Sequence, residues 1–130
     1  MLSWWRPSAD GDPPVELVEV APPDHPRVER ASRYRHGLRV WQTADRAGLV
    51  AVGRGLAARW EAAYEVEPRA RGRGLGRRLV SAARHLVPSD AYLWLEIAPG
   101  NVTSLRTALA AGYTPVGAEV LMLAPTPEHR

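Results

Sequence analysis

The chain has 130 residues, enough for a single domain with a buried core of its own. Its formal charge is only +3, yet its pI is about 9.9, because all 17 basic residues are arginine, which stays charged at any accessible pH. It has no cysteine, which excludes a disulfide framework and a thiolate metal site, and its 4 histidines form no H-x-x-x-H pair, so no metal is expected. No apolar run has the length of a membrane span and no signal-peptide pattern opens the chain, so no membrane partner and a cytoplasmic location are expected.

Residues 1–14 (MLSWWRPSADGDPP) are polar and rich in proline and glycine. They read as a flexible N-terminal arm that leaves Trp4 and Trp5 exposed. A single domain is expected over 15–124, followed by a tail over 125–130. The alternation in 15–20 predicts a first strand. Asp24 is placed to cap a short helix reaching Arg35, with Pro26 in its first turn and Gly37 as its stop. Three strand-like runs follow, at 38–44, 48–57 and 59–67, the last ended by Pro68, which has no backbone donor. Leu75, Leu79, Ala82, Ala83 and Leu86 share one face of a helix that starts at Gly74 or Leu75 and runs to about Val87. Residues 91–98 alternate as a strand. Asn101 suits an N-cap, and Gly112 a C-terminal stop, for a helix over 102–111. Residues 113–124 predict one last strand, with Val116 to Leu123 at its centre. The order β-α-β-β-β-α-β-α-β is that of a mixed α/β domain.

The run R-G-x-G-x-G, Arg71 to Gly76, joins a strand to a helix. Its glycines let the backbone turn tightly and approach a ligand with no side chain between. The first N–H groups of the helix have no intrahelical partner, and the helix dipole favours an anion beside them. Gly72, Arg73, Gly74, Leu75 and Gly76 therefore make a cradle for a phosphate or pyrophosphate, and Arg71, Arg73, Arg77 and Arg78 add positive charge. A P-loop is excluded, since it needs a lysine that this chain lacks. A dinucleotide fingerprint fails in both registers, because Arg77 or Leu79 stands where its last glycine belongs. A disordered Arg-Gly segment would not carry the apolar stripe of the helix.

Val66, Pro68, Arg71, Gly72, Gly74 and Gly76 together form V-x-P-x-x-R-G-x-G-x-G, which resembles the acyl-CoA-binding motif of the GNAT superfamily of N-acyltransferases, with [QR]-x-x-G-x-[GA] at its centre. Asn101 and Ser104, followed by Gly112 and Tyr113, resemble a second motif of that family in the order and at the distance expected. The two cover about half of the chain, from Arg59 to Leu123. The resemblance implies a mixed, mostly antiparallel sheet flanked by helices, with the fourth and fifth strands splayed apart. It implies acetyl-CoA as cosubstrate, with its pantetheine arm on the backbone of Glu65, Val66 and Glu67. The pyrophosphate would lie over Arg71 to Arg77, and Asn101 and Ser104 would line the far side of the groove. Helix capping also explains Asn101, and the two roles are compatible. The reaction implied is attack of a primary amine, from a small molecule or a peptide, on the thioester carbonyl.

The sequence departs from the family in four places. Trp60 stands where the usual catalytic glutamate belongs. Its neighbour Glu61 is the candidate base, although strand alternation turns it to the other face unless a bulge restores it. Ala108 stands where the usual tyrosine acid belongs; Tyr64, Tyr92 and Tyr113 are candidate substitutes that each read as core packing instead, so no tyrosine is expected to be essential. There is room for one helix, not two, between the first two strands, which shortens the acceptor side. Only one strand is apparent where the family usually ends with two, the last of them inserted beside the fifth. The strand at 91–98 would then pair directly with 116–123 or take a strand from a second copy, and a homodimer is expected on that ground. An acyl-CoA-binding or dimerising module without catalysis is the alternative function. Nucleic-acid binding through Arg27, Arg30, Arg33, Arg35 and Arg39 is not expected, because such a run reads as a solvated helix face.

Overall fold

A computed structural model of the chain describes residues 1–118. The elements in order are β1 (Leu2–Pro7), β2 (Val18–Val20), α1 (Pro26–Ser32), β3 (His36–Gln42), β4 (Gly48–Arg54), β5 (Trp60–Val66), α2 (Leu75–Ala83), β6 (Tyr92–Ile97), α3 (Val102–Ala110) and β7 (Thr114–Ala118). The strands form one sheet in the order β2-β3-β4-β5-β6-β1-β7. Every neighbouring pair is antiparallel except β5 and β6, whose parallel pairing is made possible by the crossover through α2. The mixed α/β domain expected from the sequence, with the mostly antiparallel sheet that the resemblance implies, is thus the architecture observed.

Strand β4 shows why the sheet holds. Its sequence, GLVAVGR, is a continuous apolar run buried from Gly48 to Gly53, as a central strand covered on both faces must be. Val50 and Val52 pack on one face with Leu79, Val80, Leu93 and Leu95, beneath α2. Leu49 and Ala51 pack on the other with Val28, Ala31 and Val40, beneath α1. Leu79 and Leu93 are fully buried, each contributing about 1.5–3 kcal/mol.

Residues 2–7 correct the expectation of a flexible arm. Leu2–Pro7 is a strand in the interior of the sheet, antiparallel to both β6 and β7. Successive side chains of a strand face opposite ways, so the two tryptophans separate. Trp4 is buried in the core under α2, while Trp5 lies on the other face, stacked on Tyr92 at 4.6 Å and edge-on to Trp94 at 5.3 Å. The slot that the resemblance reserves for a final strand is filled by the N-terminal one. The edge of 91–98 whose exposure motivated a second copy is therefore paired within the chain. Of the expected last strand, Thr114–Ala118 is observed, and 119–124 and the tail at 125–130 lie outside the described residues.

Two smaller differences concern α1. It ends at Ser32, short of Arg35, and its cap is His25, not Asp24. The Nδ1 of His25 accepts the Arg27 N–H at 3.0 Å, with Pro26 at the first helical position.

Candidate functional site

The site begins where β5 and β6 part. They pair over Trp60↔Leu93, Glu61↔Trp94 and Ala62↔Leu95, and no further. Beyond Ala62, β5 stays in continuous register with β4, as far as Gly48↔Val66. Alternate residues of such a strand direct their backbone groups to opposite neighbours. The Glu67 N–H bonds to the Ala47 carbonyl at 2.8 Å, toward β4. Val66 and Tyr64 therefore turn their backbone toward the gap, and the Val66 carbonyl accepts from Arg71 Nε at 3.1 Å. Of Glu65, Val66 and Glu67, the middle one offers free-edge backbone, while the Glu67 N–H is already bonded.

The glycine turn closes one end of this gap. Gly72 and Gly74 have φ of +78° and +76°, a left-handed conformation that L side chains adopt only with strain. Gly74 is the N-cap of α2 and no side chain caps it. The first intrahelical bond runs from Arg78 N–H to the Gly74 carbonyl, so the N–H groups of Leu75, Gly76 and Arg77 point out of the helix end without an intrahelical partner. The free backbone of β5 and this helix end border a cavity of about 640 Å³, lined also by Glu65, Arg71, Asn101 and Ser104. A Cβ on Gly76 would come within 3.4 Å of the Tyr64 ring. Arg71 and Arg77 line the cavity and Arg73 does not. Helix α3 adds Thr103, Arg106, Thr107 and Ala110, residues whose i, i+3, i+4, i+7 spacing marked a shared face that was not singled out in the sequence. The Asn101 side chain accepts the Ser104 N–H at 3.1 Å, so it is indeed the cap of α3, and it lines the cavity as well.

A second cavity, of about 390 Å³, opens on the α1 face and shares Arg27, Tyr64, Asn101 and Ser104 with the first. The two meet at the point where the strands part. Glu61 lies in its floor, and no bulge was needed to bring it there: β5 is regular, and ordinary alternation turns Glu61 toward α1 while Trp60 packs toward α2. Its carboxylate is already engaged. Oε2 accepts from Arg59 Nε at 2.7 Å and from the Leu56 N–H at 3.2 Å, and Oε1 faces Arg35 Nε at 3.2 Å. The other side of the Arg59 guanidinium bonds to Glu96, and the same group lies over the Trp94 ring at 4.4 Å. Two glutamates and two arginines thus form a buried, charge-balanced quartet. Desolvation pulls the Arg35 guanidinium below its ordinary pKa, against the attraction of Glu61 and Glu96. Gly55 makes room for this group, since a Cβ there would run into the Glu61 carboxylate.

The tyrosines separate by position. Tyr113 is buried, its hydroxyl donates to the Val80 carbonyl at 2.7 Å, and burial raises its pKa. Tyr92 is exposed against Trp5. Ala108, where the usual acid would stand, is core. Tyr64 lines both cavities, and its hydroxyl donates to Ser104 Oγ at 3.1 Å across the gap. The sequence offered it as one of three possible substitutes for the acid but favoured core packing for each; of the three, Tyr113 alone is buried in the core. Among the described residues no group of three or more His, Cys, Asp or Glu is arranged to hold a metal ion, and no helix is long and apolar enough to cross a membrane.

Neither the curated proteins nor the solved structures contain a significant match to this chain. The family model described as the acetyltransferase (GNAT) family matches residues 4–113, a span that runs from Trp4 of β1 through the splayed strands and the glycine turn to Tyr113. With that span matched and the splay in place, the chain belongs to the acetyltransferase (GNAT) family.

Proposed function

We propose that this protein transfers an acetyl group from acetyl-CoA to a primary amine by direct attack of the amine nitrogen. The observation that carries the reading is the parting of β5 from β6 directly over the uncapped start of α2. An amide-bearing arm ending in a pyrophosphate fits both features. Its amides satisfy the Val66 N–H and the backbone of Tyr64, and its phosphates take the N–H groups of Leu75, Gly76 and Arg77. Arg71, Arg77 and Arg106 surround the same place. The cosubstrate supplies an activated thioester: the new N–C bond forms as the C–S bond breaks, leaving an amide and a thiol.

This assignment sets the thioester near the junction of the two cavities and the amine in the smaller one. Glu61 is the candidate group for the amine proton, which it takes by exchanging one of the donors it now holds. Tyr64 is the phenol at the junction, and we assign it the proton that returns to the leaving thiolate. The engaged state of Glu61 and the buried Ala108 favour a second reading, an acyl-CoA-binding module without turnover.

Calorimetric titration with CoA and thiol release from acetyl-CoA over a panel of amines separate the two. Gly74→Val is the key variant. It places a β-branched residue at φ +76° on the binding turn, where open space surrounds the site and the core is untouched. CoA affinity is expected to fall at least tenfold with the fold retained. Unchanged affinity in a folded Gly74→Val protein rejects the cradle.

A further inference from the structure

The smaller cavity is lined by more arginines than carboxylates. Four arginines line it, Arg27, Arg30, Arg33 and Arg35, against two carboxylates, Glu61 and Glu96. The carboxylates are already balanced by Arg35 and Arg59 within the quartet. Arg27 is held by Glu65 at 2.9 Å. That leaves Arg33, whose partner Glu29 stands 3.6 Å away in an exposed pair of little worth, and Arg30, which has no acidic partner among the described residues. Both lie at the mouth of the cavity, on the last turn and C-cap of α1.

We infer that the acceptor is a small amine that also carries a carboxylate or a phosphate, the anion meeting Arg30 and Arg33 while the amine reaches toward Glu61. This rests on the acyl-transfer reading above and narrows it. A polyamine brings a second cation into a site whose carboxylates are already neutralised, so it is disfavoured. A cavity of about 390 Å³ admits a small molecule or a chain end. The surplus of arginine acts on the amine as well. Positive neighbours disfavour an ammonium, so more of the acceptor is present as the neutral amine that attacks. A cavity charged in this way asks less of Glu61 as a base, in keeping with the donors that Glu61 already holds.

The test uses matched amines that differ in the anion: γ-aminobutyrate against butylamine for carboxylate, and phosphoethanolamine against ethanolamine for phosphate, with spermidine as the cationic arm. Thiol release gives KM and kcat for each, and ligand-observed NMR gives binding without turnover. The anionic member of at least one pair is expected to bind about tenfold tighter or more, a difference typical of charge-assisted contacts. Which pair responds identifies the anion. In Arg30→Gln/Arg33→Gln the preference should vanish, while CoA, whose cavity neither residue lines, binds as before. Equal affinity within both pairs, or a preference for spermidine, overturns the inference even if acetyl transfer is confirmed. Absence of CoA binding rejects the acyl-transfer reading instead, and the NMR comparison still decides whether this cavity selects anionic amines.

Discussion

Glu61→Gln tests whether the quartet is a structural unit. The side chains concerned are 5% exposed for Glu61, 9% for Arg35, 15% for Arg59 and 2% for Glu96. Arg59 keeps Glu96, but Arg35 is left desolvated without its carboxylate, and breaking a buried ion pair in this way costs about 3–5 kcal/mol. That is a large part of the ~5–15 kcal/mol by which a domain is folded. At roughly 4 °C per kcal/mol for a chain of this size, the melting temperature should fall by about 12–20 °C. Circular dichroism melts of wild type and variant read this directly. Two further variants isolate the cause. Adding Arg35→Met to Glu61→Gln removes the orphaned guanidinium and should recover part of the loss. Gly55→Ala leaves every charge in place but drives its Cβ into the Glu61 carboxylate, and should destabilise in the same direction. A Glu61→Gln protein that melts within about 4 °C of wild type and loses only turnover would refute this reasoning, and would make Glu61 a base held at little structural cost.

Trp4→Ala is expected to cost about 3–5 kcal/mol in chemical denaturation, as for a buried tryptophan; a loss below about 1 kcal/mol would return residues 2–7 to the status of an arm. Tyr64→Phe should lower kcat about a hundredfold or more with CoA affinity intact, whereas Tyr92→Phe should change little. The earlier expectation that no tyrosine is essential is kept for Tyr92 and revised for Tyr64, and full activity in Tyr64→Phe would restore it. Asp45 holds the β3–β4 turn, accepting from Thr43 Oγ1 at 2.7 Å and the Ala47 N–H at 3.0 Å, and these bonds lower its carboxyl pKa, the first more than the second. A depressed folded pKa gives stability that is full above the unfolded value of about 3.9 and lost as pH falls through the folded one. Urea midpoints of wild type and Asp45→Asn should therefore converge as pH drops below about 4, and a gap that persists in acid would remove Asp45 from this role.

Local chemistry was legible in the residues. The three glycines and the stripe from Leu75 to Ala83 announced a tight turn feeding an amphipathic helix, because left-handed φ and helical periodicity are properties of a few neighbouring residues. Asn101 was recognisable as a cap for the same reason. So was the order of elements from β2 to β7, with errors of a few residues at their ends. What stayed hidden depended on distant partners. Leu2–Pro7 is a strand because β6 and β7 leave a slot for it, with Ser3 bonding to Glu96 across a separation of 93 residues. Nothing within those six residues states that. Alternation placed Glu61 on the face opposite Trp60, but only the packing of α1 made that the face with the cavity. The same packing turned a basic run that reads as a solvated surface into the wall of the smaller cavity, since Arg27, Arg30, Arg33 and Arg35 border one space only once α1 lies over β5. Periodicity sets which way a side chain points along its own element; what it meets there is decided by the element that packs against it.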